Sequence, residues 1–413
     1  MNKRKLILAI ADGIGDRPIA SLNNKTPLEY AQTPTLDKLA ANGITGMMDL
    51  ISPGIPIGTD MGHLILFGYH PTDYPGRGPI EAAGIGLQLQ PGDVVCRCNM
   101  ATVDDQGIVV DRRAGRIREG LAELIASVDG MVLEDQVVAK LLPATEHRAV
   151  LVLRGANLSD RISDSDPHAP NDGKPYHPVE ALDSTEAAAR TARYMNEFLR
   201  RSHEILKKHP LNLARIEQGL LPANFVLTRG AGCMKEMKPI TEQFSFSGCC
   251  VASEKTVLGV AKLAGFDTCT DERMTGNIDT DIELKAKSAL EQLNTHDVVY
   301  VHLKAPDIKG HDNLPLEKVE SIEKFDKMVG YILERLPEDT YLALAADHST
   351  PCEVGEHTGE PVPVLIYGPS IRRDRNEVYN EMDCAYGGLG RISGNGMFMT
   401  MLDLLNLSHK QGN

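Results

Sequence analysis

An acidic side chain and an imidazole lie four residues apart after an apolar segment near residue 300. Asp307 and His311 belong to the stretch 304–312, which follows the run Val298–Leu303. This run is typical of a buried strand, and a helical turn after it would place both side chains on one side. A carboxylate and an imidazole suit a divalent metal such as Zn or Mn. Taken alone, the pair is more typical of a helix start with an Asp cap and a surface His than of a metal site.

Two further apolar runs, Leu6–Ala11 and Tyr341–Ala346, lead into side chains of the same kinds. Because the carboxyl ends of parallel strands lie along one edge of a sheet, where open α/β sheets bind ligands, we expect these side chains to meet. Three carboxylates and three imidazoles suffice for two metal ions with open positions. The predicted cluster consists of Asp12, Asp307, His311, Asp347, His348 and His357.

A hydroxyl stands at the end of the Pro- and Gly-rich loop at residues 51–60. Thr59 precedes residues with helical apolar spacing, so it is a candidate N-cap. The alternative is a nucleophile, because a helix N-terminus stabilises a transferring phosphate. A nearby divalent metal would lower the pKa of such a hydroxyl. The local sequence favours the cap and leaves the nucleophile open.

The composition indicates a globular protein of two to three domains. The chain has 413 residues, 42% hydrophobic and 24% charged, and no apolar run approaches the roughly 20 residues of a membrane helix. A net charge of −14 argues against nucleic-acid binding. The basic start at residues 1–5 is interpreted as leading into a first strand, not as a signal peptide. The scattered cysteines favour reduced thiols and a cytoplasmic location. The sequence leaves the oligomeric state open.

Strands and helices alternate along most of the chain, which predicts an α/β fold with a mostly parallel sheet flanked by helices. Short β-like segments between about residues 80 and 180 interrupt this alternation. We therefore expect a core built from residues 1–80 and 181–413, and a smaller inserted α+β domain at residues 81–180 that binds substrate.

Basic residues concentrate within the predicted insert. Arg113 and Arg116 lie either on a solvated basic face or in a clamp for carboxylate or phosphate, which the forked donors of arginine suit. Asp166 and His168 follow in the loop 163–168. Asp and Ser commonly form turns, so these two residues are candidates for ligand contact or for turn formation only.

Several long stretches resemble the archaeal-type 2,3-bisphosphoglycerate-independent phosphoglycerate mutases, a family of the alkaline phosphatase superfamily of metalloenzymes. The resemblance covers nearly the whole chain and implies an alkaline-phosphatase-like core with an inserted lid domain. The matching stretches are ILAIADGIGDRP at 7–18, PGIPIGTDMGHLILFGYHP at 53–71, GRGPIEAAG at 76–84, DRRAGRI at 111–117, SDSDPH at 163–168, HLKAPDIKGHDN at 302–313 and AADHSTPCEVGEHTGEPVPVLIYGP at 345–369.

The resemblance implies two divalent metal ions, with Mn or Zn favoured and Mg or Co as alternatives. By the family's pattern, the ligands of one ion are Asp307, His311 and His357. Those of the other ion are Asp12, Asp347, His348 and the nucleophile hydroxyl of Thr59. No 2,3-bisphosphoglycerate is required. Arg113 and Arg116 would hold the substrate carboxylate, and Asp166 or His168 would serve as acid and base.

The implied function is the interconversion of 3-phosphoglycerate and 2-phosphoglycerate, an isomerase reaction of glycolysis and gluconeogenesis, through a phosphothreonine enzyme. Thr59 departs from the pattern, because the mutases usually carry Ser there, whereas Thr serves in the phosphodiesterase and phosphonate hydrolase branches. The family also includes relatives thought to phosphorylate homoserine. A related phosphotransferase or phosphatase is therefore the alternative, and a binding protein without catalysis is a third.

Overall fold

The computed structural model describes residues 4–144, 146–168, 172–410 and 412. Residues 1–3 of the basic N-terminal segment lie outside the described residues.

The strands are β1 (Lys5–Ala11), β2 (Ile44–Asp49), β3 (Val94–Val103), β4 (Val109–Asp111), β5 (Met131–Val132), β6 (Val138–Pro143), β7 (Arg148–Arg154), β8 (Phe225–Cys233), β9 (Gly248–Val251), β10 (Asp267–Cys269), β11 (Val298–Leu303), β12 (Thr340–Ala345), β13 (Val362–Tyr367) and β14 (Gly390–Ser393). The α-helices are α1 (Pro27–Tyr30), α2 (Pro34–Asn42), α3 (Thr59–Leu66), α4 (Arg77–Gly84), α5 (Leu121–Ala126), α6 (Glu186–Lys207), α7 (Pro210–Glu217), α8 (Ile240–Gln243), α9 (Lys255–Leu263), α10 (Ile282–Gln292), α11 (Ala305–His311), α12 (Pro315–Leu333), α13 (Glu381–Cys384) and α14 (Gly394–Leu404).

The chain divides into two compact units. The first contains the residues up to Tyr74 and those from Met237 onward, and the second contains Pro75–Glu236. The predicted insert at residues 81–180 therefore begins six residues too late and, more importantly, ends before α6, α7 and β8.

The first unit is built on a mixed sheet in the order β10-β9-β11-β1-β12-β13-β2-β14. All neighbours are parallel except that β13 runs antiparallel to both β12 and β2. β1 lies between β11 and β12, and every residue of β11 and β12 is buried. Apolar runs buried on both faces are what a parallel sheet covered by helices requires. The predicted α/β fold is confirmed at this level.

The pairing register brings the ends of the three central strands together. Ala11 is paired with Leu303, and Ile10 with Ala345, so the residues that follow each strand leave the sheet at the same edge. The expectation that side chains after these strands meet at one edge is correct.

The second unit contains an antiparallel sheet in the order β4-β3-β7-β6-β5, with β8 also paired to β3. Helix α6 buries Tyr194, Phe198 and Leu199 in the same apolar core as the strand residues Val94 and Leu151. This packing explains why the second unit extends beyond residue 180: α6 and β8 complete its core. Among the described residues, no helix combines the length and apolarity needed to cross a bilayer.

Candidate active site

The first group of ligand-type side chains, called here the His311 group, consists of Asp307, His311 and His357. Asp307 and His311 lie one turn apart on α11, which starts directly after β11. Asp307 Oδ1 is 3.4 Å from His311 Nε2 and 3.3 Å from His357 Nε2, and the two Nε2 atoms are 3.1 Å apart. The structure thus brings together three residues that the family resemblance implies as ligands of one metal ion.

The hydrogen bonds of these imidazoles fix which nitrogens face each other. His311 Nδ1 lies 2.8 Å from Gly355 O, and His357 Nδ1 lies 2.8 Å from Ile57 O. A carbonyl only accepts, so each Nδ1 carries the proton and, in the neutral ring, each Nε2 presents a lone pair. Ligands bonded tetrahedrally to one zinc ion at roughly 2.0–2.2 Å lie about 3.3–3.6 Å apart. The donor set and its spacing therefore fit a divalent cation.

The second group, called here the Asp12 group, consists of Asp12, Asp347 and His348, all fully or almost fully buried. His348 Nε2 is 3.4 Å from Asp12 Oδ1 and 3.1 Å from Asp347 Oδ2. The His348 ring also stacks on His357 at 3.5 Å between centroids, and it can join Asp307 and His357 as a third donor. His348 consequently lies at the junction of the two groups.

The electrostatics of the Asp12 group also favour a cation. Burial, together with the neighbouring Asp347 carboxylate, raises the pKa of Asp12 to about 7. Although burial opposes it, His348 and His63 hold the pKa of Asp347 well below its usual range. Asp347 Oδ2 is buried, and although His348 Nε2 and His63 Nδ1 lie 3.1 and 3.2 Å away, none of the described residues forms a hydrogen bond to it. A divalent cation would supply that partner and offset the repulsion between the carboxylates.

Thr59 is the first residue of α3, and its side chain faces the Asp12 group. Gly58 occupies the N-cap position without a side-chain cap, so the expectation that Thr59 is the cap is wrong. Its Oγ1 lies 3.2 Å from His348 Nε2 and accepts a hydrogen bond of 3.2 Å from Lys304 Nζ. The hydroxyl is therefore used at the ligand cluster and not on the helix backbone.

Lys304 is the cation that the structure places within this cluster. Its Nζ donates to both oxygens of Asp12 at 3.1 Å and lies 2.6 Å from Asp307 Oδ2. Burial lowers the pKa of Lys304, but the surrounding carboxylates, Asp12 first, outweigh burial and raise it. Lys304 is thus a charged donor that contacts a carboxylate of each group and the Thr59 oxygen.

The sequence reasoning missed three residues of this site: Lys304, His63 and His302. His302 Nε2 lies 2.8 Å from Asp12 Oδ2, and His63 Nδ1 lies 3.2 Å from Asp347 Oδ2. A signal existed for His63, which lies four residues after Thr59 and hence on the same helix face. His302 is inside an apolar strand, where the pattern predicts only a core residue.

An arginine-rich cavity of about 410 Å³ lies within the second unit. Arg113 and Arg116 both line it, as predicted for a clamp. His147 Nδ1 and Arg229 Nε are buried atoms of the same lining that have no hydrogen-bond partner among the described residues. The complete lining is Asn99, Arg112, Arg113, Arg116, Glu146, His147, Arg148, Asp172 and Arg229. An excess of arginines around a cavity suits an anion.

Asp166 and His168 lie beside this cavity's arginines but are engaged with other groups. Asp166 accepts a bidentate contact from Arg112 at 2.7 and 2.6 Å, and His168 Nε2 lies 3.0 Å from Asp164 Oδ2. Burial raises the pKa of Asp166, but Arg112 outweighs it and holds this pKa below its usual value. An ionised Asp166 is suited to holding Arg112 and is poorly suited to donating a proton.

Known proteins resemble this chain over its full length. A family model described as 2,3-bisphosphoglycerate-independent phosphoglycerate mutase matches residues 40–212. Proteins of that name from Thermococcus kodakarensis and Methanobrevibacter smithii are 46% and 44% identical, covering 100% and 99% of this chain and all of theirs.

Solved structures agree. PH0037 protein from Pyrococcus horikoshii has a TM-score of 0.84 at 39% identity, with both chains fully covered. A cofactor-independent phosphoglycerate mutase from Thermoplasma acidophilum has a TM-score of 0.75 at 32% identity, covering 97% of this chain and 100% of its own. The chain belongs to the 2,3-bisphosphoglycerate-independent phosphoglycerate mutase family.

Proposed function

We propose that this chain interconverts 3-phosphoglycerate and 2-phosphoglycerate without diffusible 2,3-bisphosphoglycerate, with Thr59 as the phosphoryl carrier. The observation that carries the proposal is the placement of the Thr59 hydroxyl, 3.2 Å from both His348 Nε2 and Lys304 Nζ at the start of α3. Full-length relatives that bear the mutase name support the choice of substrate.

We assign one divalent ion to the His311 group and a second to the Asp12 group together with Thr59. Carboxylate and imidazole donors suit Mn or Zn, with Mg or Co as alternatives. When bound, such ions would neutralise the phosphate oxygens and acidify the threonine hydroxyl. Lys304 would add a fixed positive charge beside the same hydroxyl, where negative charge develops as the proton leaves.

The transfer takes place in two in-line displacements. In the first, Thr59 Oγ loses its proton and forms a bond to phosphorus while the bond from phosphorus to the 3-oxygen of glycerate breaks, and that oxygen takes up a proton. In the second, the 2-hydroxyl of glycerate loses a proton and attacks the phosphothreonine, and the released Thr59 oxygen takes up a proton to restore the hydroxyl. Atoms and charge balance over the cycle, so no further phosphate donor is needed.

We assign substrate binding to the second unit. Its arginine-rich cavity suits the carboxylate of glycerate, with Arg113 and Arg116 as donors. His168 is the better proposed proton donor, because Asp166 is held ionised by Arg112. The lid role of this segment stays a prediction. We also propose a cytoplasmic location, for which the cysteines give support because all are free.

The test is to load the purified protein with Mn and supply 3-phosphoglycerate without 2,3-bisphosphoglycerate. Free phosphate and 2-phosphoglycerate are measured in the same samples. We expect rapid formation of 2-phosphoglycerate with little phosphate. Phosphate alone would identify a hydrolase, and the absence of both products would contradict the proposal and direct the search to another acceptor, starting with homoserine and a nucleotide donor.

A further inference from the structure

Two histidines, His63 and His302, lie on the buried side of the Asp12 group. Both side chains are 0% exposed, and their rings meet edge to face at 5.0 Å between centroids. Each belongs to a different element, since His63 is on α3 and His302 is the penultimate residue of β11. Together they form a buried pair of imidazoles in contact with Asp12 and Asp347, two proposed metal ligands.

His302 contacts Asp12 through one defined nitrogen. Its Nε2 lies 2.8 Å from Asp12 Oδ2, whereas the other oxygen, Oδ1, is the one that lies 3.4 Å from His348 Nε2. A carboxylate accepts, so Nε2 carries the proton. His302 Nδ1 is buried without a hydrogen-bond partner among the described residues, which agrees with the Nε2–H tautomer. This bond fixes the rotation of the carboxylate and leaves Oδ1 facing the cluster.

His63 uses the opposite nitrogen. Its Nδ1 lies 2.9 Å from the backbone oxygen of Thr59 and 3.2 Å from Asp347 Oδ2, while its Nε2 is buried without a partner among the described residues. Both neighbours of Nδ1 are acceptors, so Nδ1 carries the proton. His63 is therefore hydrogen-bonded to the residue that bears the proposed nucleophile and lies beside the second carboxylate of the Asp12 group.

We propose that His302 and His63 are positioning residues: His302 sets the orientation of Asp12 through Nε2–H, and His63 holds Thr59 through Nδ1–H, with Asp347 Oδ2 3.2 Å from the same nitrogen. The inference rests on the proposed function for its consequence in catalysis. Both histidines are buried, so neither side chain is open to a ligand from solvent. Their effect is on the alignment of ligand oxygens with the attacking hydroxyl, and groups that orient metal ligands in this way commonly change metal affinity about 10–100-fold when removed.

The opposite nitrogens allow a crossed test by substitution. The amide nitrogen of Gln reaches the position of His Nε2, and that of Asn reaches the position of His Nδ1. We expect His302→Gln to retain Mn affinity and His302→Asn to lose about 10–100-fold. At position 63 the order reverses: His63→Asn should retain Mn affinity, and His63→Gln should lose it. A role in filling volume would favour Gln at both positions, because Gln is closer in size to His.

Mn binding is measured by calorimetric titration and electron paramagnetic resonance in the absence of substrate, so failure of the mutase assay would leave this result intact. Turnover, where present, should change in kcat with little change in KM for 3-phosphoglycerate. The same tolerance for Gln at both positions would overturn the proposal, as would loss of folding in both variants at one position. A third Mn per chain that disappears with either histidine would identify a ligand role instead and would also overturn it.

Discussion

At the scale of single residues, position 59 joins two demands that are usually met by different residues. The residue must start a helix, where backbone N–H groups are free. Its hydroxyl must also reach the cluster of carboxylates and imidazoles. Gly58 takes over the cap position, which leaves the Thr59 side chain to contact His348 and Lys304. A threonine differs from the serine that the family resemblance implies at this position by one methyl group, which adds bulk but keeps the oxygen.

The first prediction concerns this oxygen. Thr59→Ala should lower the rate of 2-phosphoglycerate formation by roughly 10³-fold or more, since no atom remains to carry the phosphoryl group. Thr59→Ser is the matched control and should retain activity. Mass spectrometry after incubation with substrate should find a phosphorylated residue 59 in the parent and Ser variants only. Mutase activity in the Ala variant would exclude Thr59 as nucleophile.

At the scale of elements, two buried lysines on different helices donate hydrogen bonds to segments that carry the candidate site, and their partners differ. Lys318 of α12 donates to Gly15 O, Thr350 O and Asp16 Oδ2 at 3.1, 2.8 and 2.9 Å, and so connects the loops after β1 and β12. Lys285 of α10 donates to His302 O at 3.1 Å and, among the described residues, forms no ion pair with a carboxylate. Both are 0% exposed, so their partners decide what each charge does to stability.

Lys318→Met should destabilise the protein, because it leaves Asp16 as a buried charge without its cation. Breaking such a pair typically costs about 3–5 kcal/mol in the free energy of unfolding. Urea denaturation at pH 7 measures the change. The exposed Lys327 lies on the same helix, and Lys327→Met should be nearly neutral. A small effect at position 318 would show that the loops hold without the ammonium group.

Lys285→Met should stabilise the protein, in contrast to Lys318→Met. Burial lowers the pKa of Lys285 from 10.5 to about 8, so below pH 8 both the folded and unfolded states hold the proton and the full penalty is present. Between pH 8 and 10.5 the unfolded state binds more protons, and stability rises with pH. The substitution should therefore add about 1–3 kcal/mol at pH 7 and progressively less toward pH 10.5.

The measurement is denaturant unfolding at pH 7 and pH 10, with Lys287→Met as the control. Lys287 lies on the same helix, is half exposed and pairs with Glu283 at 2.9 Å. Its removal should change stability little at either pH. An equal loss of stability at both pH values in Lys285→Met would mean that the bond to His302 O outweighs the penalty of burying the charge.

The elements also show which parts of the site are readable from sequence. β1, β11 and β12 are apolar runs with polar residues directly after them, so the ligands at their ends could be predicted. His302 could not, because a single histidine inside a buried strand has no local pattern that separates a core residue from a partner of Asp12. Its role depends on the register of β11 against β1, which is a tertiary property.

At the scale of the whole molecule, the same limit applies to the unit boundaries. The amphipathic helix α6 and the strand β8 continue the alternation of helices and strands, so sequence alone assigned them to the α/β core. In the structure, β8 pairs antiparallel with β3, and α6 packs into the core of the second unit. An apolar stripe shows that a helix is packed on one side, but it does not specify which sheet it covers.

Metal binding should stabilise only one of the two units. All predicted ligands, Asp12, Thr59, Asp307, His311, Asp347, His348 and His357, belong to the first unit. Binding at 100 times the dissociation constant stabilises the ligand-bound state by about 2.7 kcal/mol per site. Backbone amide hydrogen exchange should therefore be slower in the presence of Mn than in the presence of EDTA, in segments 304–312 and 347–358.

Exchange in β3 and β7 of the second unit should stay unchanged on Mn addition, because that unit holds none of these ligands. Thr59→Ala should keep most of the protection, since the carboxylates and imidazoles remain, whereas Asp307→Asn should lose it in segment 304–312 first. Slowing confined to the second unit, or equal slowing throughout the chain, would contradict the assignment of both ions to the first unit. Protection that survives Asp307→Asn unchanged would remove Asp307 from the ligand set.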